Sequence, residues 1–378
     1  MIKDLLKKVY NRFWRRQDKK LNKLQKTVDR LEKELDEQKR ITQNLQRNLE
    51  NGFLKHEKWT RQAAEERWLA KEKKIWVIKC PIANNEDKYL NGEYNFAVSL
   101  KMELEKLGCY VVIDMGEDWN RDMTEADVVL VLRVRRSYRP DRRNKNCKYI
   151  MWHFCHPGLV SQDEYELFDL VLVNSVSYAE KAEKEVSVPV KPLLCCADTN
   201  LFFPREEEVK YDKVFVGNTR KVTRQFITWC DKHDIPLHIW GKMHGPDGWK
   251  NNIREGSAIV LEDGVKNCVL PQIYRASRII FNDHFDDMRE LGFLNNRVIE
   301  ALCCGRPLMS DYCADFEKLF GDSVVFYRDE EDFLEKLKML EENYDEQRQK
   351  VLDFWPVLQK EFSFEARAKT LVEEVEGL

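Results

Sequence analysis

The chain has 378 residues, 43% of them hydrophobic and 34% charged. That apolar share is enough for packed cores in about two domains, which excludes a chain disordered throughout. With 63 Lys and Arg against 66 Asp and Glu the net charge is −3, which excludes general polyanion binding by the whole molecule. The balance is uneven along the chain. Residues 1–73 hold 21 basic and 12 acidic side chains, and the remainder holds 42 and 54. Pro and Gly change at the same place: Pro81 is the first proline, and Gly52 is the only glycine before Gly92.

Eleven cysteines are scattered with no CxxC and no His/Cys metal spacing, so reduced thiols and no metal centre are expected. No apolar run reaches the roughly 18 residues of a membrane span. Charges interrupt the N-terminus every few residues, which excludes a signal-peptide core. A cytoplasmic chain, peripheral on the cytoplasmic face of a membrane, is expected.

Residues 1–20 begin MIKDLLKKVYNRFWRR, which places Ile2, Leu5, Leu6, Val9, Phe13 and Trp14 near one helical face flanked by Lys and Arg. Such a helix suits the headgroup region of an anionic bilayer, and equally a helix packed on the protein's own body. Residues 21–73 read as a helical spacer. Leu21, Leu24, Val28, Leu31 and Leu35 alternate steps of three and four, the spacing of a coiled coil. Gln38 and Thr42 then fall on the seam, and Ile41, Leu45 and Leu49 resume it. Homo-oligomer formation through 21–50 is one reading and a single solvated helix the other. A helix over 21–50 would be about 45 Å long.

At Lys74 the texture changes. KIWVIKC (74–80) reads as a strand, 94–107 as an amphipathic helix, and CYVVIDM (109–115) as the next strand. Further strands are expected at 126–134, 148–154 and 168–175, with a helix at 177–185. The pattern restarts at DKVFVGNTR (212–220), with a helix at 221–233 and strands at 236–241, 276–283, 307–311 and 323–327. Helices are expected around 294–304, 330–350 and 363–376. Alternating strands and helices give an α/β chain of two Rossmann-like domains, 74–200 and 201–355, closed by a helix in 356–378 that returns to the first. Ligands in such sheets sit at the carboxyl ends of the strands.

Two stretches carry a family resemblance. CCADTNLFFP (195–204) is similar to the hinge motif of group 1 transferases, with Ala197 in place of the usual valine. FNDHFDDMRELGFLNNRVIEALCCGRPLMSD (281–311) resembles the donor segment of group 1 and CgeB-like GT-B glycosyltransferases through Glu300, Ala301, Gly305 and Pro307. VFVGNTRKVTR (214–224), NGEYNFAVSLKMELEKLG (91–108) and WHFCHPG (152–158) are similar to other family segments in the expected order. Counting seven residues back from the residue before Glu300 reaches Gly292, where many group 1 enzymes have a first glutamate; that residue is absent. The resemblance covers about 74–375. It implies a GT-B glycosyltransferase that uses a nucleotide sugar, needs no metal or other cofactor, and acts on a lipid-linked or polysaccharide acceptor in bacterial capsule or O-chain assembly.

The residues suit that chemistry. A departing diphosphate gains negative charge, which cations and backbone amides stabilise. Gly217, Asn218, Arg220, Lys221 and Arg224 follow a strand and open a helix, so they are expected at the diphosphate. Glu300 is expected to accept the ribose hydroxyls, as the resemblance implies, with Arg297 one turn earlier. Asn282, Asp283 and His284 end a strand at the cleft side, Asn282 as a donor contact and His284 as a catalytic candidate, and Arg289, Gly292 and Asn295 are expected along the donor. In the first domain His156 is the expected catalytic histidine, His153 reads better as core, and Glu93 is a candidate base. RVRRSYRPDRRNKNCK (133–148) carries eight basic residues with one tyrosine, which suits anionic lipid or a solvated loop better than nucleic acid. Two rival readings remain: a coiled-coil scaffold with a degenerate transferase fold, and a CDP-alcohol phosphotransferase of surface polymers.

Overall fold

The computed structural model describes residues 2–219, 224–245, 248–253 and 258–378, without the side chains of 12, 13, 16 and 314. The chain forms two units, Met1–Gln62 and Ala63–Leu378. Helix α1, Ile2–Ala70, makes up the described part of the first unit and enters the second. Gly52 does not interrupt it. Residues 2–62 span about 90 Å at 1.5 Å per residue, and their leucines are exposed: Leu21 67%, Leu35 55%, Leu49 75%.

In the second unit, six parallel strands form the first sheet: β1 (Ile75–Lys79), β2 (Tyr110–Asp114), β3 (Val128–Arg133), β4 (Lys148–His153), β5 (Leu170–Val173) and β6 (Val190–Pro192), ordered β2-β1-β3-β4-β5-β6. Helices α2 (Gly92–Lys106), α3 (Gln162–Tyr165) and α4 (Val176–Ala182) connect them. β1 and β3 are buried along their whole length, which explains their unbroken apolar sequence.

The second sheet holds β7 (Tyr211–Val216), β8 (Leu237–Trp240), β9 (Ile259–Glu262), β10 (Ser277–Asn282), β11 (Leu308–Asp311) and β12 (Val324–Tyr327), ordered β12-β11-β10-β7-β8-β9 and again all parallel. Its helices are α5 (Gln225–Lys232), α6 (Leu270–Arg275), α7 (Asp286–Glu290), α8 (Asn296–Cys303), α9 (Ala314–Phe320), α10 (Glu330–Glu342), α11 (Tyr344–Glu361) and α12 (Phe364–Glu376). The single helix expected at 330–350 is two, divided at Asn343. β6, β9, α3, α6, α7 and α9 are elements the sequence reading did not include.

After Pro204 the chain leaves the first sheet, and α12 brings it back. Phe364 packs edge-on against Phe96 of α2 at 4.6 Å, and Arg367 Nε donates to Leu194 O at 2.6 Å. The sheets also meet through hydrogen bonds. Asn174 Nδ2 donates to Leu294 O at 2.6 Å, and Ser177 N and Oγ both reach Asp315 Oδ2 at 2.9 Å.

In each sheet the chain starts centrally, builds one flank and crosses to the other. The carboxyl ends of β1 and β3, and of β7 and β10, are therefore the crevices where loops diverge.

Candidate active site

A cavity of about 370 Å³ opens where those crevices face each other. The first domain contributes Gly92 and Glu93 at the start of α2, Val134 and Arg135 after β3, and Phe154, Cys155 and His156 after β4. The second contributes Arg224 before α5, Asp283, His284 and Phe285 after β10, and Leu294 to Arg297 at the start of α8. A more polar cavity of about 430 Å³ adjoins it, sharing Arg224, Asp283 and His284 and reaching Arg289, Asp311 and Arg328.

Two cations converge on one ring. The guanidinium carbons of Arg224 and Arg297 each lie 4.7 Å from the centroid of Phe215. Arg224 pairs with Asp283 and donates to Asn218 O at 2.6 Å. Arg297 donates to two neutral oxygens, Val216 O at 2.5 Å and Asn282 Oδ1 at 2.7 Å. Arg135 lies over Phe285 on the facing wall. Each wall of the cavity thus carries arginine, Arg135 beside Glu93 on one side and Arg224 and Arg297 beside Asp283 on the other. The N-terminus of α8 opens on it as well, adding backbone amides to Arg297. Asn295 Oδ1 and Asn296 Oδ1 are buried there with no hydrogen-bond partner among the described residues. Buried acceptors of that kind are completed by a ligand or water.

Gly217 makes this packing fit. A Cβ there would stand 2.7 Å from an Arg297 nitrogen and 2.8 Å from the Phe215 ring. The strand end is held from behind by Trp249 Nε1, which donates to Gly217 O at 2.9 Å.

His284 is gripped by Asp311. Its Nδ1 lies 2.6 Å from Asp311 Oδ1, and its backbone N–H donates to Oδ2 at 2.9 Å. Burial alone would raise the Asp311 carboxyl, but the charge and hydrogen bonds of His284 hold it below its usual range. A carboxylate at Nδ1 fixes the proton there and makes Nε2 the basic nitrogen. The network continues under the cavity: Ser310 Oγ donates to Asp311 Oδ1 at 3.1 Å, Asn282 Nδ2 to Ser310 Oγ at 2.8 Å, and Arg297 to Asn282.

His156 stands on the opposite wall with φ +56°, in the left-handed region, against Phe285 at 4.6 Å. A non-glycine residue held there costs about 1–3 kcal/mol, a strain that collects at functional sites. His153 is core: burial pushes its pKa down to about 3, and Nδ1 meets Tyr165 OH at 2.5 Å.

Of the residues singled out by sequence, the cavity wall brings together His156, Glu93, His284, Arg224, Asn295 and Arg297. Asn282, Gly217 and Asn218 stand behind it as supports. Arg289 faces the adjoining cavity and pairs with Asp286 at 3.0 Å. Gly292 (φ +72°) is a turn packed against Asp315 and Ser175, where a Cβ would meet Asp315 at 2.5 Å. Glu300 is part-buried one turn beyond Arg297 and is not among the residues of the cavity wall. Burial pushes its carboxyl up to about 7, with Arg297 pulling the other way. Arg220 and Lys221 lie outside the described residues.

Sequence reasoning missed Arg135, Cys155, Phe285 and Asp311, while Asp283 stands on the cavity wall beside His284, at the cleft-side strand end where the sequence places it. The basic stretch 133–148 is mostly tied down: Arg133 to Glu164 at 2.7 Å, Arg142 to Asp169 at 2.9 Å, Arg143 to Asp122 at 3.0 Å and Arg136 over Trp119. Among the described residues no group of three or more His, Cys, Asp or Glu could hold a metal ion.

Residues 220–373 match the family model described as glycosyl transferase-like. The two parallel sheets give the chain the GT-B fold. The chain is similar in fold to sucrose-phosphate synthase from Thermosynechococcus elongatus, with TM-score 0.60 and 11% identity over 81% of this chain and 99% of that one. It is also similar to a glycosyltransferase from Rickettsia africae, with TM-score 0.58 and 10% identity over 81% and 98%. Anabaena HepE, solved in complex with UDP-glucose, gives TM-score 0.58 and 10% identity over 80% and 100%. No curated protein matches the chain in sequence.

Proposed function

We propose that the chain is a glycosyltransferase that takes its sugar from a nucleotide-diphosphate donor and passes it to a lipid-linked or polysaccharide acceptor of a bacterial surface glycan, capsule or O-chain. The observation that carries the donor half is the pair Arg224 and Arg297 stacked on Phe215 at the cavity between the two sheets. HepE, similar in fold, was solved with UDP-glucose, which supports the same donor class here.

In this reading the diphosphate lies along Arg224, Arg297 and the first turn of α8, with Arg135 opposite. Charge growing on the leaving oxygen meets preorganised cations. The arginines supply that charge, so activity is expected to survive chelation of divalent metal. Arg220 and Lys221 are proposed beside the same phosphates, and Glu300 takes the ribose hydroxyls. The sugar lies toward Asn295 and Phe285. His284, oriented by Asp311, accepts the acceptor's hydroxyl proton on Nε2, while His156 and Glu93 position the acceptor from the first domain.

Residues 1–20 are proposed to hold the enzyme at the cytoplasmic face of an anionic membrane, within reach of a lipid-linked acceptor. No helix among the described residues is long and apolar enough to cross a membrane, and Ile2, Leu5, Leu6 and Val9 are exposed on α1 beside lysines.

The test is a thermal-shift series with UDP, GDP, CDP, CMP and dTDP on the full chain. A specific ligand at about 100 times its Kd adds roughly 2.7 kcal/mol of stability. One diphosphate is expected to win and to lose its effect in Arg297→Ala. Stabilisation by none of them overturns the donor assignment.

A further inference from the structure

The apolar seam of α1 keeps one heptad frame well beyond the two heptads at its start. With Leu21 at position a, the a positions are Leu21, Val28, Leu35, Thr42 and Leu49, and the d positions are Leu24, Leu31, Gln38 and Leu45. Leu45 and Leu49 therefore stand in the same frame as Leu21, and the only polar positions are the adjacent layers Gln38 and Thr42. The helix runs through them without a break. Seven leucine and valine side chains of this seam are exposed by 45% or more.

We infer that residues 21–49 pair with the same segment of a second copy as a parallel, in-register, two-stranded coiled coil. Three features of the segment select that occupant. The first is the 3.5-residue repeat, which keeps a narrow stripe facing a like helix over four heptads. The second is charge. In an in-register parallel pair, position g faces position e of the next heptad on the partner, which sets Glu34 against Lys39 of the other copy, twice by symmetry. The remaining g–e pairs, Lys20 with Gln25, Thr27 with Glu32 and Ile41 with Gln46, contain no like charges. Glu34 and Lys39 are held within their own helix only by loose, exposed contacts, to Arg30 at 3.7 Å and Asp36 at 3.8 Å.

The third is the polar pair of layers. In register, Gln38 meets Gln38 and Thr42 meets Thr42, so each amide has an amide to bond. Thr42 Oγ1 already donates to Gln38 O at 2.9 Å within the helix, which leaves its methyl for the seam. Turned antiparallel, with Leu24 set against Leu49, the same helices put Gln38 against Leu35 and Thr42 against Leu31. The amide would then be buried against leucine without a partner, which is costly. Only the parallel, in-register pairing matches the polar layers to each other and also keeps all seven apolar layers of the seam together.

The experiment uses the full chain. Light scattering is expected to give twice the 45.1 kDa chain mass, falling to the single-chain mass in Leu24→Lys/Leu31→Lys with nucleotide-induced thermal shift retained. Leu31→Cys, made in a Cys268→Ser background because Cys268 is the exposed cysteine, is expected to form a disulfide-linked dimer under mild oxidation. A mixture of Leu31→Cys and Thr42→Cys chains is expected to give no heterodimer, since in-register residues 11 apart lie about 16 Å apart along the axis. A monomer or a trimer in solution, or a 31–42 cross-link, overturns the assignment.

Discussion

His284 and Asp311 are joined twice, through the imidazole Nδ1 at 2.6 Å and through the backbone amide at 2.9 Å, so the carboxylate fixes both the ring's tautomer and the loop that carries it. Asp311→Asn keeps the size and most of the loop contact but replaces an ionic acceptor with a neutral amide. The expected result is a fall in kcat of about 10²-fold or more with nucleotide affinity nearly unchanged, since tautomer and base strength are affected and the phosphate contacts are not. Steady-state kinetics beside a nucleotide titration check it; equal losses in affinity and kcat would mean that the pair holds the cavity's shape instead.

Glu300 makes stability depend on pH. Its ordinary value of 4.5 is raised to about 7 by burial, against the pull of Arg297. Between those values the unfolded chain gives up a proton that the folded chain keeps. Folding stability therefore declines as pH rises from about 4.5 through about 7 and levels off above, by up to about 3 kcal/mol. Glu300→Gln is expected to remove that slope and to be more stable than the parent at pH 8. Denaturant melts at several pH values read this directly.

Gly217→Ala drives a methyl into the space between Arg297 and Phe215. Overpacking of this kind costs about 1–3 kcal/mol, and Arg297 is the neighbour able to move. Diphosphate affinity should fall about tenfold or more, as expected for loss of a charge-assisted contact, with a smaller loss in Tm. Isothermal titration separates the two, and full affinity in the variant would remove Arg297 from the phosphate site.

Deletion of residues 1–20 should abolish binding to vesicles containing anionic lipid while leaving transfer to a soluble acceptor intact. Binding by the parent should weaken as salt shortens the screening length. Co-sedimentation with vesicles across a salt series checks both.

The long buried strands were legible because a parallel strand covered on both faces reads as an unbroken apolar run, as in VVLVLR of β3. β6 and β9 were not, being three and four residues at sheet edges, too short for any period to show. α6, α7 and α9 fail for the same reason, and the break between α10 and α11 rests on Asn343 alone. At the site, the residues found from sequence follow strands or open helices in recognisable segments. Asp311 was missed as the partner of His284 because 27 residues separate them. The signal lay in the register: β10 and β11 pair Asn282 with Ser310, so Asp311 emerges beside Asp283 and one residue short of His284. Arg135 was hidden in a charged stretch whose other members pair elsewhere.

The cavity wall also carries its own reporter. Cys155 is only partly buried there, between Phe154 and His156, and burial pushes its thiol up to about 12. Little thiolate exists near neutrality, so the group reacts slowly, whereas Cys268 is exposed. Once Cys268 is removed, alkylation of Cys155 followed by mass spectrometry becomes a clock for occupancy. Any molecule that fills the space between the two sheets stops it, whatever its sugar or base, and no labelled substrate is needed to see it happen.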